Sequence, residues 1–316
     1  MTEREKGMAG KDMAERGNGG EQARDAAPAS GPSLRCRLEN EGGRFTPSER
    51  RLAEHLLRNY PVAGLTSITA LARDAGVSTP TVARLVHKLG FRGYPDFQDA
   101  LRGDVQEMLA SPLARHERWA AEAQESHPLN RMADAALANL QATLSRIDHQ
   151  EFDAACDLVA DRKRTVFALG GRITHAIADY LVTHLRIMRP AVRLVQEAAH
   201  NWPPALLDVR AGDVMVVFDI RRYENQVLEI ASLAAEQGAE VILFTDQWVS
   251  PAADIARHRF SCHVDVPSAW DSSLTVLLLV ETMIASVQER LGEEAADRMR
   301  ALEQLYARTR FFRRRS

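Results

Sequence analysis

From Thr165 onward the sequence repeats one pattern: a short run of β-branched and apolar residues, then a stretch with helical spacing. The runs are TVFAL (165–169), VRLV (192–195), DVMVVF (213–218), EVILF (240–244) and FSCHVDV (260–266). Strands separated by helices pair in parallel through crossovers, and such a sheet must be covered on both faces. The pattern predicts a doubly wound α/β domain over residues 150–292, followed by a C-terminal helix and basic tail at 293–316. Upstream the periodicity changes. Residues 34–105 read as an all-α domain. Residues 106–149 keep a helix-forming composition but are broken by Ser111-Pro112 and His127-Pro128, and read as a helical linker. Residues 1–33, rich in Gly, Ala, Glu and Lys without periodicity, read as a disordered tail.

The three cysteines, Cys36, Cys156 and Cys262, form no CxxC pair, which fits free thiols in a reducing compartment. The N-terminus lacks the basic-then-apolar order of a signal peptide. The longest apolar run, Val276–Val280, stops at Glu281, far short of the ~20 residues that span a bilayer. The expectation is a cytoplasmic protein with no membrane partner. HExxH, GxSxG, GxGxxG and P-loop patterns are absent, and Cys262-His263 reads as a pair of strand residues, so no metal or cofactor is expected.

The all-α segment carries a specific order of signals. Thr46-Pro47-Ser48-Glu49 opens a helix with an N-cap, a proline at the first position and a capping-box acid. Ile68, Leu71, Ala72 and Ala75 then form one apolar stripe, and Gly76 ends that helix because glycine tolerates positive φ. Ser78 opens a second helix with Pro80 in its first turn, and Val82, Leu85, Val86 and Leu89 face inward. Two short helices joined by a tight glycine turn make a helix-turn-helix. The second helix leaves Thr79, Thr81, Arg84, His87 and Lys88 outside this stripe. Hydroxyls there can meet phosphates or base edges, and Arg84 can reach guanine or phosphate. Leu34–Asp104 holds 11 Lys+Arg against 8 Asp+Glu, a balance of only +3. The order of caps and turn, rather than charge, therefore points to double-stranded operator DNA.

FTPSERRLAEHLL and SITALARDAGVSTPTVARLVHKLGFRGYPDFQDAL resemble the N-terminal domain of the RpiR/MurR family of bacterial transcriptional regulators. That resemblance implies DNA contacts from Ser67, Ser78, Thr79, Pro80, Thr81, Arg84, Lys88 and Tyr94. The family joins this domain to a SIS (sugar isomerase) domain, a doubly wound unit that binds phosphosugars and self-associates as a dimer or tetramer. TVFALGG with ITHAIADYLVTHLRIM, Ala211-Gly212-Asp213, AAEQGAEVILFTD and SPAADIARH resemble such a domain over about residues 150–290.

The ligand motifs depart from that resemblance. Where the family carries Gly-x-Gly-x-Ser after the first strand, this chain has Gly170, Gly171, Arg172, Ile173 and Thr174, keeping a hydroxyl at a helix start. Where it carries Ser-x-Ser-Gly-x-Thr to cradle a phosphate, this chain has Asp219, Ile220, Arg221, Arg222, Tyr223 and Glu224. Three readings stand. Arg172, Arg221 or Arg222 bind an anionic effector, phosphosugar or other. Alternatively, Asp219 and Glu224 pair with those arginines and close the site, leaving an oligomerisation module. In the third, the loop shapes a site for a neutral or mixed-charge metabolite. The rival class is a sugar-phosphate isomerase, which needs a general base, with Glu197, His200 and Glu224 as candidates. Loss of the phosphate-binding hydroxyls and the presence of a helix-turn-helix argue against it, so no catalytic residue is expected.

Overall fold

The computed structural model describes residues 34–40, 44–115, 127–195 and 202–312. The expected tail at 1–33, the candidate bases Glu197 and His200, and the arginines of the C-terminal tail lie outside these residues. Helices α1 (Leu34–Asn40), α2 (Pro47–Arg58), α3 (Ile68–Asp74), α4 (Thr79–Lys88) and α5 (Tyr94–Leu109) build the N-terminal domain. Thr46 and Glu49 close the capping box of α2 from both sides. At the end of α3, Gly76 adopts φ +65°, the Val77 N–H donates to Ala72 O at 2.9 Å and the Gly76 N–H to Arg73 O at 3.1 Å. This Schellman closure turns the chain sharply enough for α4 to pack back across α3. Leu52, Leu71, Leu85, Phe97 and Leu101 are almost wholly buried in the resulting core. Each such side chain stabilises the domain by about 1.5–3 kcal/mol through burial.

Strands β1 (Val166–Gly170), β2 (Val192–Leu194), β3 (Val214–Asp219), β4 (Glu240–Asp246) and β5 (His258–Cys262) form an all-parallel sheet of order β2-β1-β3-β4-β5. Successive side chains point to opposite faces, and both faces are apolar. Val166, Ala168, Val216, Phe218 and Phe244 join one core, and Phe167, Leu169, Met215, Val217 and Leu243 join another. The first core is covered by α7 (His149–Ala160), α8 (His175–Met188), α11 (Leu274–Leu291) and the start of α12 (Glu293–Thr309). The second is covered by α9 (Trp202–Leu207) and α10 (Asn225–Glu236). The doubly wound architecture is thus the one the alternating runs predict.

One strand is displaced from its expected span. FSCHVDV covers 260–266, yet β5 ends at Cys262, because the His263 N–H donates to Thr143 Oγ1 at 2.8 Å and the Val264 N–H to Gln247 Oε1 at 3.3 Å. Side chains take the place of the ladder there. Helix α6 (Pro128–Leu144), expected within the linker, packs against α11 and β5, with Asn139 Nδ2 donating to Asp265 O at 2.7 Å. Cys156 and Cys262 are buried free thiols, and burial pushes the Cys156 thiol up to about 11, which leaves it unreactive. Among the described residues no helix is long and apolar enough to cross a membrane.

Candidate functional site

Helix α4 and its neighbours sort the expected DNA contacts into two groups. Ser78, Pro80, Arg84 and Lys88 are exposed and Thr79 is half-buried. Thr81, expected outside, is instead 4% exposed. Its hydroxyl lies 2.8 Å from Ser78 Oγ and accepts from Arg84 Nη2 at 3.2 Å. Ser78 holds the N-cap position without a hydroxyl bond to the helix backbone, because that hydroxyl serves Thr81. Lys88 Nζ sits 2.6 Å from the buried Glu49 carboxylate, tying α4 to α2. Tyr94 donates its hydroxyl to Gly64 O at 3.1 Å and Thr66 O at 2.9 Å, and burial pushes its phenol up to about 12. Ser67 caps α3, accepting the Ala70 N–H at 3.2 Å. Thr81, Lys88 and Tyr94 therefore make bonds within the helix-turn-helix domain, and Arg84 is an exposed cation held by Thr81.

The second site is a crevice of about 440 Å³ at the carboxyl ends of β1 and β3, where parallel-sheet proteins bind ligands at the point the strand order reverses. Gly171, Arg172, Thr174, Asp219, Arg222 and Glu224 line it from the strand loops. Ala110, Pro112 and Arg115 line it from the segment directly after α5, and Trp270, Asp271 and Ser273 from the loop before α11. Of this second group the sequence marked only Pro112, as a break in the linker, and none as a site residue. Gly170 lies beneath the crevice: a Cβ there would meet the Thr174 backbone at 2.6 Å, so only glycine permits the tight β1-to-α8 turn.

The three arginines of the crevice are not equivalent. Arg172 and Arg222 are exposed. Arg221 is 8% exposed, stacks its guanidinium 4.0 Å over the Trp248 ring and places Nε 2.9 Å from Asp271 Oδ2. Its Nη2 pairs with Asp265 Oδ1, and Arg115, 3% exposed, reaches Asp271 Oδ1 at 2.7 Å and Asp265 Oδ1 at 3.6 Å. Two buried arginines and two aspartates thus bind the segment after the reading domain to the crevice wall. Arg221 and Arg222 hold φ of +34° and +57°, strained values for residues with side chains, and the Arg221 N–H donates to the buried Asp246 carboxylate at 2.6 Å.

The acids do not pair with the arginines as the closed-site reading expects. Asp219 accepts the Ser250 hydroxyl, and Glu224 Oε1 accepts the Arg172 backbone N–H at 2.9 Å. The Thr174 hydroxyl, expected at the helix start, is turned inward to Phe218 O at 2.7 Å. Burial, with the Ser250 hydrogen bond opposing it and the charge of Asp246 adding to it, pushes the Asp219 carboxyl up to about 6. An unfolded aspartate titrates near ~3.9, so the stability this group contributes is complete below that pH and is lost as pH rises through about 6. Asp219→Asn is expected to flatten the pH dependence of thermal unfolding across that window. At neutral pH it should raise stability by on the order of 2 kcal/mol.

The model of the rpiR-family helix-turn-helix domain matches residues 33–108, and that of the SIS domain matches residues 159–286. The chain belongs to the RpiR family. It is a transcriptional regulator with an rpiR-type helix-turn-helix and a SIS domain. This RpiR-family chain is 24% identical over 282 residues to the HTH-type transcriptional regulator HexR of Escherichia coli (strain K12), covering 87% of itself and 94% of that protein. It is 26% identical over 281 residues to HexR of Pseudomonas aeruginosa, covering 84% and 92%. Among solved structures it is similar to Vibrio vulnificus NanR complexed with ManNAc-6P, at a TM-score of 0.51 and 21% identity over 87% of this chain and 98% of that one. The sugar isomerase domain of an RpiR transcription factor from Sphaerobacter thermophilus matches at a TM-score of 0.52 and 22% identity, over 56% and 98%. These likenesses establish the fold.

Proposed function

We propose that this RpiR-family chain is a ligand-responsive regulator in which α3 and α4 read double-stranded operator DNA and the crevice binds a small anionic, sugar-related metabolite. The observation that carries this reading is the composite wall of the crevice. One side presents the exposed Arg172 and Arg222; the other is Ala110, Pro112 and Arg115, which follow directly on the last helix of the DNA-binding domain. Met108, on that helix, packs against the core of the sheet. A ligand that favours one setting of this wall shifts the placement of α5, and through it the affinity for DNA. Helix α6 leaves Leu129, Leu137 and Leu144 exposed, apolar surface that a second copy would cover in a dimer or tetramer. Two copies would set reading helices ~34 Å apart on successive major-groove faces. The cytoplasm is the compartment such a regulator works in. The full-length relatives are named regulators, and Glu224, the described candidate base, has a carboxylate oxygen engaged by Arg172 N–H, both of which support a regulator without catalytic activity.

The reading is tested by thermal unfolding of the full chain against phosphosugars, including the ManNAc-6P held by NanR, and sugar acids. A ligand at a hundred times its Kd is expected to stabilise by about 2.7 kcal/mol, and Arg222→Ala should abolish the shift. A panel without any stabilising member would remove the ligand-sensing part.

A further inference from the structure

We infer that Glu224 sets the ligand class of the crevice: the strand loops take a hydroxyl or ammonium donor, and the ligand's anionic group is a carboxylate held by Arg172 and Arg222, not a phosphate cradled by backbone N–H groups. The inference rests on the reading that the crevice binds a small anion. Glu224 occupies the N-cap position of α10, yet its carboxylate does not cap that helix. It crosses to the loop after β1, where Oε1 accepts the Arg172 N–H at 2.9 Å. Gly171 faces the same carboxylate so closely that a Cβ would come within 2.8 Å of Oε1. The chain's own anion therefore already fills the place where a ligand phosphate would meet the start of α8.

Two hydroxyls at this end are committed as well, while Ser272 and Ser273 line the crevice from the loop before α11. Thr174 donates to Phe218 O at 2.7 Å and Ser250 donates to Asp219. Apart from the Arg172 and Arg222 side chains, what the two loops offer the crevice is acceptor oxygen and the charge of Glu224, which disfavours a phosphate dianion beside it and gives a hydroxyl or ammonium a partner. The positive groups are the side chains of Arg172 and Arg222, both exposed along the same crevice, and their forked donors match a carboxylate. Arg221 adds nothing to them, since its guanidinium is already paired with Asp265 and Asp271.

Calorimetric titration of the full chain with glucose 6-phosphate and with glucuronate tests this, because the two hexoses differ chiefly in carrying a phosphate ester or a carboxylate at the same end. Glucuronate is expected to bind more tightly. Glu224→Gln keeps a carbonyl oxygen for the Arg172 N–H and removes the charge; it should tighten glucose 6-phosphate about tenfold or more and weaken glucuronate. If both probes bind, and Arg222→Ala weakens them while Glu224→Gln changes neither, the role of Glu224 is wrong and the anion site stands. If neither probe binds the chain or the variant at millimolar concentration, the anion-site reading and this inference fall together.

Discussion

Replacing Asp271 with alanine is expected to cost about 3–5 kcal/mol of stability, read as a lower urea midpoint. Asp271 takes Arg115 Nη1 at 2.7 Å on one oxygen and lies 2.9 Å from Arg221 Nε on the other. Both arginines are almost wholly buried, so neither recovers its hydration when the carboxylate is removed. Asp271→Ala would take one negative charge from beside two buried guanidiniums. Asp297 is the control. It pairs with Arg300 at 2.6 Å, but its side chain is 74% exposed, and Asp297→Ala should leave the midpoint where it is. A loss from Asp271→Ala no larger than that of the control would mean that water, not the aspartate, balances the arginines. The same variant should also loosen the segment after α5, since Arg115 is its tie to the crevice.

The strands were legible because parallel strands buried on both faces are written as unbroken apolar runs, and VMVVF or VILF can serve little else. The end of β5 was not legible, because Thr143 and Gln247, far away in sequence, supply the hydrogen bonds that replace its ladder. The ion cluster was hidden for a related reason. Arg115 and Asp271 lie 156 positions apart, and a charged residue reads the same in sequence whether solvated or paired. The family resemblance located the crevice but not its chemistry: Arg172, Arg221 and Arg222 read as three equal cations, and only burial separates Arg221 from the others. In the reading head the helical stripe placed Val82, Leu85, Val86 and Leu89 in the core. Thr81, Lys88 and Tyr94 carry polar groups that fit DNA equally well, yet each is used inside the domain.

Arg84→Ala is expected to weaken binding to a duplex selected from a random pool by about 1–3 kcal/mol, with a smaller loss on unselected duplex. The side chain is exposed on α4, and its Nη2 is held by Thr81 Oγ1 at 3.2 Å, which in turn lies 2.8 Å from Ser78 Oγ. A guanidinium fixed in this way has less rotamer freedom to lose on meeting a guanine edge. Equal losses on both duplexes would make Arg84 a phosphate contact, and the salt dependence of binding should then fall by about one unit of slope. Tyr94→Phe supplies the contrast, because it removes the hydroxyl donated to Gly64 O and Thr66 O while leaving the exposed face of α4 intact. Its cost should appear in unfolding and not in DNA affinity measured on the folded protein. If Tyr94→Phe instead lost as much affinity as Arg84→Ala at unchanged stability, the start of α5 would belong to the DNA interface, and the division between reading and supporting residues would have to be redrawn there.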